Sequence, residues 1–431
     1  MNKFKSKLFP VIILTMTVLS CGERDIAGPN NDGLAIFDLK ATSIGLEVVL
    51  SWDAIDNSSL IGYNIYRQVD DSGFLKYDSV AGAETSYSDN RVTADIGYEY
   101  QITAKLAENE SERSEIVRII PGLTTTWVLD ISTILLSELT HDAAHRTGRF
   151  FDNLPSVTAF DVDEKNGYIY LLNGNDKTLM LYVEGQAPSS LTSPDSTFTK
   201  FDDPSDIDYD SVRDDMWIAD GSSGNVYHFS ETEPGNWILA DSLNTGGSAD
   251  EGQIDSNNGD YWLINSVGRS VEIYQNLSTG YNRKSIGGFT SGRILLALDE
   301  KRARAYAVDI GTGAISVINA TGTETEITTV NQAILAAVEP ESGDLWLLAD
   351  EDEDGSYDLI KLSVAGLRIF NINTGISAPT WMGVNQQNMS VVVLNVAPEE
   401  ARVLTYDKFG ESINTFDAFT SPHRARTVKI D

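Results

Sequence analysis

Residues Asp350 to Asp358 read DEDEDGSYD, alternating carboxylates followed by a glycine turn. Asp350, Asp352 and Asp354 fall on every second position, so a tight loop can aim all three at one hard cation. Gly355 permits the sharp turn, the Ser356 carbonyl can point inward, and Asp358 can close the shell directly or through water. The spacing is that of calcium loops, and calcium in a structural role is the expected occupant. Lys361 stands where a helix-flanked calcium loop carries its final bidentate glutamate, and no helical pattern surrounds the segment. The competing reading is an acidic hairpin with no ion.

Other chemistry is sparse. His141 and His145 lie four apart in THDAAHR, with Asp142 between them. On a helix they would share a face for a metal, but their surroundings read as a loop between two strands. His228 alternates within NVYHFS, and His423 precedes the last strand beside Arg424 and Arg426; neither has a partner visible in the sequence. No nucleophile elbow or phosphate loop occurs, so no residue is assigned a catalytic or cofactor-binding role.

Lys3, Lys5 and Lys7 precede an apolar run, Leu8 to Leu19, that is too short to span a bilayer. The run ends in Val18-Leu19-Ser20-Cys21, which resembles the lipobox of bacterial lipoproteins. That resemblance implies a signal peptide over 1–20, cleavage before Cys21 and lipid on its thiol. Cys21 is the only cysteine, which excludes an internal disulfide. Residues 21–33 are polar and rich in Gly, Pro and Asn, as in a flexible tether. Gly22 stands where enterobacterial lipoproteins retained at the inner membrane carry Asp, so the outer membrane is the expected location. The formal charge of −33 argues against nucleic acid and against electrostatic docking on anionic lipid.

Helix signals are nearly absent and short alternating runs dominate, so the fold is expected to be all-β. Over 34–121 alternation is plain in LEVVLSW, GYNIYR and YEYQITA. This segment resembles a fibronectin type III domain. Trp52 matches that family's core tryptophan, the run ending at Arg67 its strand C, Tyr87-Ser88-Asp89 the edge before the next strands, and Tyr98 its tyrosine corner. The resemblance implies a β-sandwich with these aromatics in its core, serving as a spacer.

Over 122–431 one line recurs: a strand often ending in Asp, a turn, an aromatic-led strand, a turn, another strand. The equivalent positions Tyr170, Trp217, Trp262, Tyr306, Trp346 and Val392 are spaced by roughly forty to forty-seven residues, the period of four-stranded propeller blades. Six units leave two pieces. TWVLD, headed by Trp127, lacks a strand before it, and TVKID (Thr427 to Asp431) lacks strands after it. Joined, they make a seventh blade from both ends, which removes the open edges of the ring; six blades with frayed ends is the alternative. The repeats resemble the NHL/YVTN-type or TolB-like propellers. Asp and Asn close the aromatic-led strands (Asn173, Asp220, Asn265, Asp309, Asp350, Asn395), where Asx turn chemistry is expected in preference to a polar recognition ring.

The leading functional expectation is a non-catalytic envelope lipoprotein whose propeller binds a protein or glycan partner. A hydrolase or lyase acting on a sugar- or lactone-like molecule at the channel mouth is the rival. A scaffold for envelope protein assembly is the third reading. Clustered, partly buried Asp, Glu and His lining the channel around a metal would favour the enzyme; a channel filled by apolar side chains would count against it.

Overall fold

Strand formation follows the alternation, and the computed structural model describes residues 38–429 apart from 71, 108, 184–195, 199–200, 234 and 398–399. The signal peptide 1–20, Cys21 and the tether 21–33 lie outside the described residues. One short 3-10 turn, Glu300–Arg302, is the only helical element among those described, and none of their helices is long and apolar enough to cross a membrane.

Two antiparallel sheets come first. Lys40–Ile44, Glu47–Ser51 and Ser86–Asp89 form one; Leu75–Ala81, Gly62–Val69, Tyr98–Lys105 and Val117–Ile119 form the other. Their inward residues make a single core that includes Val48, Leu50, Trp52, Tyr63, Ile65, Tyr100 and Ile102, a two-layer sandwich. Trp52 meets Tyr63 edge-on, with ring centroids 5.2 Å apart. The Tyr98 hydroxyl accepts the Thr93 amide at 2.9 Å, which ties a strand start to the preceding corner. Asp89 is fully buried and takes hydrogen bonds from Arg67, Tyr77, Tyr100 and the Arg91 amide. These bonds hold its carboxyl below the ordinary range although burial pushes the other way.

From Thr124 onward the chain builds seven four-stranded antiparallel sheets among the described residues. The first joins both ends of the segment: Pro422–Lys429 pairs with Thr124–Asp130, followed by Leu135–Leu139 and Arg146–Phe151. The other six start at Val157–Asp163, Pro204–Asp210, Gly252–Asp255, Ile294–Asp299, Ala333–Val338 and Pro379–Val384. These inner strands touch one another in sequence, and Pro422–Lys429 touches both Pro379–Val384 and Val157–Asp163, so the sheets close into a ring. The closing strand begins at Pro422, five residues before the Thr427 start expected from the sequence. Proline is tolerated at a strand's first position because its missing N–H is needed least there, and a bulge between Pro422 and Arg424 absorbs His423.

Each second strand is sandwiched between neighbouring sheets and buried almost throughout, which explains its continuous apolar run. Its aromatic packs onto the next sheet. Trp217 stacks on Tyr261 at 4.7 Å, and Tyr170 meets Tyr209 at 5.6 Å. Trp262, Tyr306 and Trp346 lie in equivalent inter-sheet cores. The polar residues closing these strands do turn chemistry: Asn265 accepts the Ser248 and Gly268 amides, and Asp309 those of Thr290 and Gly311.

The sandwich sits against the ring at the loop holding both predicted histidines. His141 is buried; its Nε2 lies 2.8 Å from Asp95 Oδ1 and its Nδ1 2.5 Å from Thr124 Oγ1. His145 Nε2 donates to the Arg118 carbonyl at 2.9 Å. Asp142 accepts the Ile120 amide, and Gln387 donates to Asp95. Gly122 has no side chain because a Cβ there would fall inside the His141 ring. The two histidines therefore join the sandwich to the ring and do not converge on a metal.

Candidate functional site

The seven inner strands wall a channel along the ring axis. It contains adjacent cavities of about 500 and 430 Å³ that share Asp208, Gln253, Trp381 and Arg426 as lining residues. One end opens among the turns after the inner strands, at Asp163, Ser256 and Glu300, and the other among the strand starts, at Asp206, Glu251 and Arg424.

Inner strands of neighbouring sheets share no hydrogen-bonded ladder, so their inward backbone groups need other partners. Channel side chains supply them. Asp161 Oδ2 accepts the Tyr209 amide at 2.8 Å, and Asp206 Oδ2 accepts the Gly252 amide at 3.0 Å. The Gln253 amide accepts from Leu298 N at 2.8 Å and donates to Leu296 O at 3.0 Å. Bulges at the starts of several inner strands re-aim hydroxyls for the same purpose: Thr158 donates to Pro204 O, Ser205 to Ala249 O and Thr380 to Pro422 O. Asp161, Asp206 and Gln253 thus stitch sheet to sheet.

The closing strand contributes the cations. Arg424 Nη1 lies 2.9 Å from Asp206 Oδ1, and Arg426 Nη2 lies 2.8 Å from Asp161 Oδ2 and 3.6 Å from Asp208 Oδ1. Burial opposes the charge on Arg426, but Asp161 and Asp208 hold its pKa above the ordinary value. Burial raises the Asp161 carboxyl, with Arg426 opposing.

Two carboxyls remain outside this stitching. Asp208 is 3% exposed, and its Oδ2 has no hydrogen-bond partner. Burial, reinforced by Asp206, carries its pKa well above the carboxylate range. Glu251 is exposed to the channel, but desolvation by the protein around it, with Asp206 beside it, pushes its carboxyl up to about 7 despite Arg424. A carboxyl that exchanges its proton near neutrality, as Glu251 does, is what acid–base chemistry requires. Across the ring Trp381 lines both cavities.

The sequence reading assigned none of these residues. The available signal was the alternation of Asp206 and Asp208 in SDIDYD and of Asp161 in AFDVD, at strand positions where apolar residues are usual.

The predicted cation loop lies between Leu345–Ala349 and Tyr357–Leu362 of the sixth sheet, counting the closing sheet first. Asp350, Asp352 and Asp354 bring oxygens within 4.8 Å of one another, the only such acidic or histidine group among the described residues. Asp350 accepts the Asp354 and Gly355 amides, each at 3.1 Å, and Asp354 accepts the Ser356 amide at 2.7 Å. Asp358 stands outside the group, paired with Ala349 in the strand ladder. His228 is buried, stacked on Trp217 at 4.5 Å with Nε2 3.2 Å from Asp215. His423 lines the Arg424 end of the channel.

No family model matches the chain. It is 34% identical over 102 residues to an amylopullulanase of Thermoanaerobacter thermohydrosulfuricus, a stretch that is 23% of this chain and 7% of that protein. Among solved structures it is similar to the periplasmic gluconolactonase of Pseudomonas aeruginosa, with TM-score 0.56 and 12% identity over 72% of this chain and 99% of that one. A functionally unknown protein of Desulfotomaculum acetoxidans superposes with TM-score 0.57 and 11% identity, over 71% of this chain and 99% of its own. A Lactobacillus plantarum protein does so with TM-score 0.53 and 13% identity, over the same shares. The ring is a β-propeller, and at these identities the likeness is one of fold alone.

Proposed function

We propose that the channel is the working site and that it performs hydrolysis or elimination on a sugar- or lactone-class molecule, with Glu251 and Asp208 as its acid–base groups. One observation carries this reading: the fold uses Asp161, Asp206 and Gln253 to join its sheets but leaves the Glu251 carboxyl, exposed in the channel, outside that network, with the buried Asp208 near it. A lactone is opened when water adds to its acyl carbon, one group taking the water's proton and another returning a proton to the departing ring oxygen. A propeller fold shared with a gluconolactonase agrees with this choice. An apolar channel would have favoured the non-catalytic platform; the carboxyls favour the enzyme. Glu251→Gln is expected to lower kcat by about 100-fold on the sugar lactone or glycoside that the wild type turns over, without changing the thermal midpoint by more than a few degrees. The wild-type pH profile should carry a limb near 7, where Glu251 titrates. An unchanged kcat in Glu251→Gln would remove Glu251 from the chemistry.

Around this site we place a lipoprotein architecture: signal peptide 1–20, lipid on Cys21, tether 21–33, a fibronectin type III-like spacer over 34–121 and a seven-bladed propeller over 122–431. The Val18-Leu19-Ser20-Cys21 run, the two-sheet core around Trp52 and the seven sheets of the ring support these assignments. The chain would then work at the cell envelope, with the outer membrane preferred.

The Asp350 loop is proposed to hold calcium through Asp350, Asp352 and Asp354, with the Ser356 carbonyl and a water-mediated Asp358 completing the shell. Millimolar calcium is expected to raise the thermal midpoint by roughly 5 °C, and Asp352→Asn to abolish the increase. A wild-type midpoint indifferent to calcium would leave the loop an ordinary acidic hairpin.

A further inference from the structure

Resting on the reading of the channel as a sugar- or lactone-directed site, we infer that it selects an uncharged, unphosphorylated sugar ring, seated with one face on Trp381 and its hydroxyls toward Asp208 and Glu251. Two independent features support this.

The first is charge. Asp161, Asp206, Asp208, Glu251 and Glu300 line the space, and its cations are already engaged. Arg424 and Arg426 are held by Asp206, Asp161 and Asp208, and Lys165 at one mouth lies 3.5 Å from Asp214. His423, at the other mouth, is pushed toward its neutral form by burial and by Arg424. A phosphoryl group needs a cation or a set of donors without a partner, and here it would instead meet surplus carboxyls. A neutral hydroxyl can donate to a carboxylate or accept from a protonated carboxyl, so it suits both states of these groups.

The second is shape. The strand Pro379–Val384 stands across the ring from Pro204–Asp210 and Gly252–Asp255, three sheets away in either direction. Gly383 makes room for Trp381, since a Cβ there would run into the indole. Trp381 thus lines the channel on the side opposite the carboxyl-bearing strands, while part of its indole packs against the core between its own sheet and the closing one. An aromatic plate opposite convergent polar groups matches a pyranose ring, which has an apolar C–H face and a hydroxylated rim.

The test uses the mature chain with four probes: glucono-δ-lactone, its 6-phosphate, glucose and glucose 6-phosphate. Lactone opening is followed by proton release and binding by calorimetry. The unphosphorylated lactone is expected to show a kcat/KM at least about 100-fold above its phosphate, and glucose to bind more tightly than glucose 6-phosphate. Trp381→Leu should raise KM about tenfold with a smaller change in kcat, and Trp381→Tyr should restore most of the loss. Equal or better use of the phosphorylated probes overturns this inference and leaves the channel reading standing. So does an unaltered KM in a folded Trp381→Leu variant. If none of the four probes binds or reacts, both fall together.

Discussion

Removing residues 422–431 is expected to open the propeller and to lower and broaden its thermal unfolding. The deleted strand pairs along Thr124–Asp130, from Pro422 opposite Asp130 to Lys429 opposite Thr124. Asp130 fixes its approach by accepting the Thr420 and Ser421 amides at 2.6 and 3.2 Å. Without it, a fully buried strand becomes an edge whose amides and carbonyls have lost their ladder. Asp161, Asp206 and Asp208 lose both guanidinium groups at once, which leaves buried carboxyls without compensating charge. The thermal midpoint should fall by at least about 10 °C and the transition should broaden, with dye-binding apolar surface appearing before the main loss of β signal. Calorimetry of the two chains side by side decides it. A truncated chain that melts sharply at the parental temperature would mean that ring closure contributes little.

The reason this strand matters was only partly legible in the sequence. The repeat period could be read because each second strand is covered on both faces, which forces aromatics such as Trp217, Trp262 and Trp346 into equivalent places. The leftover TWVLD and TVKID pieces followed from the same count. What could not be read is that the ring encloses a wet axis. In an open sheet, Asp206 and Asp208 on an alternating strand would face solvent; here closure turns that face inward, and the carboxyls meet Arg424 and Arg426 from some two hundred residues away. Those arginines looked like part of a loop because the strand was taken to begin at Thr427. The histidine pair shows the reverse case, in which suggestive spacing in THDAAHR serves the join between sandwich and ring.

Arg426→Ala is expected to destabilise the protein by about 3 kcal/mol at pH 8 and by roughly half that at pH 5. Deleting one partner of a buried ion pair costs about 3–5 kcal/mol in general. The Arg426 side chain is 38% open to channel water, which screens the pair and sets the expectation at the lower end. The pH dependence follows from its neighbours. Asp161 and Asp208 already have folded-state pKa values raised by burial, and Arg426 is what restrains the rise. A carboxyl whose folded pKa is raised binds its proton more tightly folded than unfolded, so its contribution to stability is lost as pH climbs from the unfolded value through the folded one. Removing Arg426 lifts both values further and enlarges that loss, so the variant suffers most where the carboxyls should be ionised and least where they are protonated. Urea titrations at the two pH values measure the difference directly. Adding Asp208→Asn to Arg426→Ala should recover part of the loss at pH 8, because the amide carries no charge to strand. A cost that is flat with pH would mean that Arg426 acts through the packing of its alkyl stem, and the channel's carboxyls would then have to be treated as independent of the closing strand.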